Sequence, residues 1–109
     1  MDVFDLAQIV GGHSENGELY HEFFKAKRVS VGLYVLKAGE TDPQSPHTED
    51  EIYYIFSGAG TIEIDGEHRE VSAGAVIYVE EHVAHRFHTI TEDLNIIVVF
   101  APPRHSQRT

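Results

Sequence analysis

Residues 46–58 contain the side chains of this sequence that are best suited to hold a cation. His47 lies four residues before Glu51, and residues 51–57 are rich in β-branched and aromatic types, which predicts a strand. Side chains alternate between the two faces of a strand, so Glu51 shares a face with Tyr53. A buried carboxylate is costly unless it is paired or coordinated. A short bend would bring His47 beside Glu51, and we interpret this stretch as half of a metal site.

The second half of such a site has to come from another strand, and His85 is the best candidate. It opens the predicted strand 84–90 and shares a face with Phe87. Together, His47, Glu51 and His85 supply two imidazoles and one carboxylate. This set suits Fe(II), Mn(II), Ni(II), Co(II) or Zn(II), and with open positions it matches the facial triad of non-haem iron oxygenases. The alternative is that the three residues only hydrogen-bond to one another at the rim of a barrel.

A small, mostly apolar pocket is expected around this cluster. Its predicted lining residues are Tyr34, Ile55 and Phe87, although residues of these types, taken singly, are more often ordinary barrel core. Glu51 and Tyr53 are the side chains in the predicted site that could act as a general base. We therefore predict them as catalytic residues.

The rest of the chain reads as short strands separated by turns. Asp65-Gly66 is the strongest hairpin signal, because this pair favours a type I′ turn, and residues 58–60, 91–93 and the glycine-containing 11–17 are predicted to be turns or loops. Residues 2–10 fit either a helical turn or an edge strand. The predicted strands are 20–25, 29–37, 51–57, 61–65, 67–71, 75–79, 84–90 and 94–100. This pattern predicts an all-β sandwich or small barrel.

Composition excludes several classes of protein. The chain has 109 residues, which indicates a single domain, and its formal net charge of −10 argues against partners such as nucleic acid or anionic membranes. It has no cysteine, which excludes disulfides and thiolate ligands. No apolar run is long enough to span a bilayer and no signal peptide is evident, so a cytoplasmic location is expected.

Two predicted segments, 52–56 and 94–100, are apolar on both faces. A small barrel buries one face of each strand, so the other face needs a cover. A second copy of the chain, related by a two-fold axis, would provide it, and we predict a homodimer. Residues 101–109 are predicted to be a flexible tail.

With these motifs the sequence resembles the cupin superfamily. In the first cupin motif, which spans residues 39–58 here, His47 takes the second histidine position and Glu51 the glutamate position, between Gly39 and Gly58. The second motif spans residues 74–89, and its single histidine falls at His85. The resemblance implies an all-β double-stranded β-helix, or jelly roll, formed by residues 1–109 as one domain. It also implies a divalent metal ion.

The sequence departs from the family pattern in both motifs. Ser45 stands where the first histidine is usual, so one of the customary three imidazoles is missing. A fourth ligand would then be water, the amide oxygen of Gln44, or His82 folding in from its loop. In the second motif, Glu80, His82 and Thr89 replace the usual proline, glycine and asparagine.

The resemblance implies a metal-dependent enzyme. Its natural reactions would be dioxygenase-like oxidation, which we favour, or isomerase/lyase chemistry on a small organic acid or carbonyl compound. The alternative is a barrel that binds or senses a sugar-like metabolite without catalysis. A small-molecule ligand is expected in either case.

Overall fold

A computed structural model describes residues 1–16, 19–43 and 46–105, and within these residues the chain forms one α-helix and six β-strands. All strand pairings are antiparallel, in the order β1-β2-β6-β3-β4, with β5 pairing with β3. The elements are α1 (Leu6–Asn16), β1 (Tyr20–Lys25), β2 (Ser30–Leu36), β3 (Asp50–Ile64), β4 (Glu67–Ser72), β5 (Val76–Val79) and β6 (His85–Ala101). The all-β fold expected from the sequence is confirmed.

The long strands β3 and β6 run side by side through the whole fold, and the predicted breaks at 58–60 and 91–93 are wrong. In β3, alternate residues are buried from Glu51 to Ile55, and the buried set then shifts to Gly60 and Ile62. The ladder between the two strands is irregular between Ile55 and Thr61. Turn-forming residues are accommodated here as bulges, which bend a strand without ending it.

A matching shift occurs in β6 at Thr89. His85 and Phe87 are buried before it, and Ile90 and Leu94 are buried after it. Thr89 has a φ of 49°, which is rare for a β-branched residue and places an irregularity at this point. In each long strand, the set of alternate side chains that faces the core therefore changes once.

The core lies between the two halves of the sheet that the bends in β3 and β6 create. Tyr53 and Phe87 pack edge to face, with ring centroids 5.1 Å apart, a favourable geometry for aromatic pairs. The hairpin at Asp65 and Gly66 has positive φ at both residues (49° and 83°), as a type I′ turn requires. The buried core cluster comprises Tyr34, Leu36, Tyr53, Ile55, Ile62, Val79, Phe87, Ile90, Leu94, Ile96, Val98 and Phe100.

The N-terminal segment is helical where the sequence predicted a loop at residues 11–17. Asp5 caps α1, since its Oδ1 accepts hydrogen bonds from the backbone amides of Ala7 and Gln8 at 2.9 and 3.4 Å. The helix packs against β2, whose Leu33 is fully buried although it faces away from the core cluster. Packing of this kind outweighs the low helix propensity of two glycines. Among the described residues, no helix is long and apolar enough to cross a membrane.

Candidate metal centre and ligand cavity

The fold brings together the three residues predicted from the sequence as metal ligands. One potential ligand atom from each of His47, Glu51 and His85 lies within 4.8 Å of the other two. Glu51 Oε1 is 2.7 Å from His85 Nε2, and the two imidazole centroids are 5.6 Å apart. Glu51 and His85 are buried and His47 is half-buried. That these residues hold a metal stays a prediction.

Each of the three side chains is positioned by a different part of the barrel. Glu51 is the second residue of β3 and pairs with Phe100 of β6 and Val79 of β5. His85 is the first residue of β6. His47 precedes β3, and its ring edge packs on Phe100 with centroids 5.1 Å apart. Two strands and one loop therefore meet at the same end of the core.

The cluster is electrostatically asymmetric. Burial lowers the pKa of His47, and the neighbouring His85 and Arg104 lower it further against the opposing effect of Glu51. Burial also acts to lower the pKa of His85, but the contacts with Glu51 and the Val83 carbonyl outweigh it and leave that pKa raised. These opposite shifts favour the neutral form at His47 and the protonated form at His85, whose Nε2 lies 2.7 Å from Glu51 Oε1. A cation bound here would replace the proton on His85 Nε2.

The donor atoms fit a divalent cation. Glu51 Oε2 is buried and has no hydrogen-bond partner among the described residues, which is costly for a carboxylate in the absence of a counter-ion. His85 Nδ1–H donates to the Val83 carbonyl oxygen at 2.8 Å. This bond orients the ring with Nε2 toward Glu51, the arrangement that supports histidine ligands in metal sites.

A cavity of about 240 Å³ opens onto this cluster. The predicted pocket residue Tyr34 and the predicted catalytic residue Tyr53 line it, together with His47 and Glu51. Ile55 and Phe87 do not line it, since both are fully buried in the core cluster. Leu19, Tyr20, Pro43, Val98, Phe100, Arg104 and His105 complete the lining.

Arg104 and His105 are part of the cavity, whereas the sequence predicted a flexible tail from residue 101. The Arg104 backbone amide donates to Ser30 Oγ at 2.9 Å, and the His105 amide donates to Glu49 Oε1 at 2.8 Å. The Arg104 guanidinium lies 4.5 Å from the centre of the Tyr20 ring, within cation–π distance. These contacts join residues far apart in the chain, and no local pattern signals them. Residues 106–109 lie outside the described residues.

Of the two additional ligands considered from the sequence, His82 is not part of the cluster formed by His47, Glu51 and His85. The His82 side chain is exposed, and it is its backbone amide that contacts the site, by donating to the His47 carbonyl at 2.7 Å. Its φ of 64° belongs to a turn that directs the ring outward. Gln44 and Ser45 lie outside the described residues.

Two buried acids near the cavity were not recognised from the sequence. Asp42 accepts hydrogen bonds from the Tyr34 hydroxyl and from the Phe87 backbone amide. Glu49 is 1% exposed and accepts hydrogen bonds from the Thr48 hydroxyl and from the His105 backbone amide. Both acids hold the loop before β3 against the barrel.

Comparison with known proteins gives the family. The protein-family model described as the cupin domain matches residues 32–100 of this chain. The chain belongs to the cupin superfamily. A relative from Streptomyces coelicolor, named uncharacterized protein SCO3923, is 44% identical over 103 residues, which cover 94% of this chain and 98% of that protein.

Solved structures of other proteins share the fold of this chain. An RmlC-like cupin with a double-stranded β-helix from Methanocaldococcus jannaschii has a TM-score of 0.69 at 25% identity, covering 76% of this cupin and 78% of that chain. TT1209 from Thermus thermophilus has a TM-score of 0.73 at 19% identity, covering 94% and 99% of the two chains. The expected double-stranded β-helix is thus confirmed.

Proposed function

We propose that this cupin is a metal-dependent enzyme acting on a small organic acid. The observation that carries the proposal is the buried Glu51 carboxylate, which meets two imidazoles at a cavity that opens to solvent. A structural ion pair would need no cavity beside it, whereas a metal that binds substrate needs an open position. A divalent ion held by His47, Glu51 and His85 would supply Lewis-acid or redox chemistry.

Arg104 supports an acid as the substrate. It is the one lysine or arginine among the described residues that line the cavity, and its guanidinium is held against Tyr20. A guanidinium binds a carboxylate through two parallel hydrogen bonds. The volume of about 240 Å³ is below the usual range for drug-sized ligands. An acid of a few carbon atoms therefore fits the site best.

The tyrosines of the cavity have different roles in this proposal. Burial and the hydrogen bond to Asp42 raise the pKa of Tyr34, and burial raises the pKa of Tyr20. Both phenols therefore stay protonated. The Tyr34 hydroxyl already donates its proton to Asp42, so Tyr20 is the phenol that can donate a hydrogen bond to a substrate oxygen. Tyr53, whose ring centroid is 6.2 Å from that of His85, remains the candidate for moving a proton. Glu51 acts as a ligand, so it is not free to serve as a separate base.

Arg104→Gln is expected to weaken binding of short-chain carboxylic acids by about 30-fold or more, because it removes a charge-assisted pair. Metal content should stay at the wild-type level. The measurement is a thermal-shift and calorimetric comparison of acids with their neutral amides, on metal-loaded protein. Arg28→Gln, at an exposed turn outside the cavity, is the matched control.

The same experiment separates the enzyme from a barrel that only binds a metabolite. Turnover of a bound acid that ceases in EDTA supports the enzyme. Binding that is unaffected by EDTA, with no metal in protein purified anaerobically, would refute metal dependence. Equal binding of acids and amides by the wild type would refute the role of Arg104.

We further propose that the protein is a homodimer formed through the outer face of β5, β3 and β6. Ile52 pairs with Tyr78 and Tyr54 pairs with Val76 across two strands, and all four are exposed. Two copies of a chain with net charge −10 repel each other over most of their surface. The patch of these four residues is where contact between two copies would bury apolar area.

Val76→Glu is expected to raise the dimer dissociation constant by about 100-fold, because it buries an unpaired charge at the interface. Multi-angle light scattering would measure this against the 12.2 kDa mass of the chain. Val3→Glu, which alters another exposed apolar residue away from this face, should leave the dimer intact. A wild-type protein that is monomeric at all concentrations would contradict the proposal.

A further inference from the structure

A second group of potential metal ligands lies on the opposite surface of β4, β3 and β6 from the core. One ligand atom from each of Glu63, His68 and His88 lies within 4.8 Å of the other two. His68 Nδ1 and His88 Nε2 are 2.9 Å apart. None of the three lines the 240 Å³ cavity, so this cluster is independent of the proposed function.

Strand register explains how the three side chains meet. Glu63 of β3 pairs with His68 of β4 on one side and with Arg86 of β6 on the other, and His88 pairs with Thr61 two residues away. The two histidines thus belong to strands that flank β3, about 10 Å apart, and lean toward each other over it. Their ring centroids are 5.0 Å apart at an interplanar angle of 74°.

Neighbouring groups orient two of the three ligands. His88 Nδ1 is 2.9 Å from Thr89 Oγ1, which leaves Nε2 directed at His68. Arg86 Nε donates to Glu63 Oε1 at 2.9 Å, and this bond lowers the pKa of Glu63 and keeps it ionised. Its second oxygen, Oε2, lies 3.8 Å from His68 Nε2, so the Glu63 carboxylate would have to turn toward Nδ1 to join His68 and His88 on one cation. Outer contacts of this kind are what hold histidine and carboxylate ligands in metal sites.

We propose that Glu63, His68 and His88 form a second cation site, selective for Zn²⁺, Cu²⁺ or Ni²⁺. The cation would take the place of the proton between His68 Nδ1 and His88 Nε2. Two nitrogens that each lie about 2.0–2.1 Å from a zinc ion are about 2.9–3.4 Å apart. The 2.9 Å spacing in the structure therefore needs little or no opening. Two imidazoles and a carboxylate select these ions over Mg²⁺ and Ca²⁺.

The solvent exposure of the site limits its affinity for a cation. The side chains of His68 and Glu63 are 51% and 26% exposed, and the nearby Arg86 opposes a cation. Binding should therefore be weaker than at the buried cluster, with a dissociation constant on the order of micromolar. The remaining coordination positions face solvent and stay available for water or for a ligand from another molecule.

The test titrates Zn²⁺ into a His85→Ala background, in which the buried cluster is disabled, and follows binding by calorimetry. Adding His68→Ala or His88→Ala should lower the remaining Zn²⁺ affinity about 10-fold or more. His21→Ala on β1 should not change it. Glu63→Gln should weaken binding, whereas Glu70→Gln on the same face of β4 should have no effect.

A measurement on the wild type covers the case in which His85→Ala does not fold. In ¹⁵N NMR spectra, substoichiometric Zn²⁺ should shift the ring nitrogens of His68 and His88. The proposal is overturned if neither ring responds, or if His68→Ala and His21→Ala bind Zn²⁺ equally. Failure of the buried centre would appear at His47 and His85 instead, so the two outcomes are distinguishable.

Discussion

Glu51→Gln is expected to lower the affinity of the buried centre for a divalent metal by about 1000-fold. The substitution keeps the shape of the side chain but removes the charge that offsets the dication, at a site that is 2% exposed. In a buried site this attraction is only weakly screened. Elemental analysis after dialysis against limiting metal should find near-stoichiometric metal in the wild type and almost none in the variant.

Glu49→Gln provides the control for the loss of a buried acid. Glu49 is as buried as Glu51 but already accepts hydrogen bonds from Thr48 and from the His105 amide. Its replacement should reduce stability and leave metal stoichiometry close to that of the wild type. Metal bound equally by Glu51→Gln and the wild type would show that the cluster is only a hydrogen-bonded ion pair.

Gly58→Ala is expected to reduce the free energy of unfolding by about 3 kcal/mol or more. Gly58 has a φ of 100°, and a Cβ at this position would lie 2.1 Å from the Asp93 carbonyl oxygen. That oxygen belongs to the backbone of β6, so the clash cannot be relieved by a side-chain rotation. Urea denaturation followed by circular dichroism would measure the loss.

Gly74→Ala separates the clash from the cost of the backbone angle. Gly74 has nearly the same φ, 98°, but a Cβ there meets nothing within 4 Å. Its substitution should cost only about 1 kcal/mol. If the two variants lose the same free energy of unfolding, the close approach of residue 58 to the Asp93 carbonyl oxygen does not contribute to the destabilisation.

The positions of several strands and the cluster of His47, Glu51 and His85 were predictable because their signals are local or belong to two short motifs. Alternation of apolar residues marked β2, and the Asp65-Gly66 turn marked the start of β4, close to their observed ends. The spacing of His47, Glu51 and His85 within the two motifs was enough to bring them together, because the motifs imply how the barrel closes.

What the sequence did not reveal depends on contacts between distant residues. Arg104 and Asp42 reach the cavity region only because the fold brings the end of the chain and the loop before β3 to one place. Residues 58–60 and 91–93 look like turns, and only the pairing of β3 with β6 shows that the strands continue through them. The meeting of His68 and His88 depends on the register of three strands, which single-strand patterns do not specify.

In β3 and in β6, the set of residues that faces the core changes once along the strand. These two changes limit which insertions and deletions the protein can accept. The loss or gain of one residue inside β3 or β6 would move apolar side chains from the core to the solvent face, and polar ones from the solvent face to the core. This exchange would extend from the changed position to the nearest bend. Replacements of similar size can accumulate in these strands, but deletions and insertions cannot. Among related chains, variation in length should therefore fall in the connection between β2 and β3 and at the two ends.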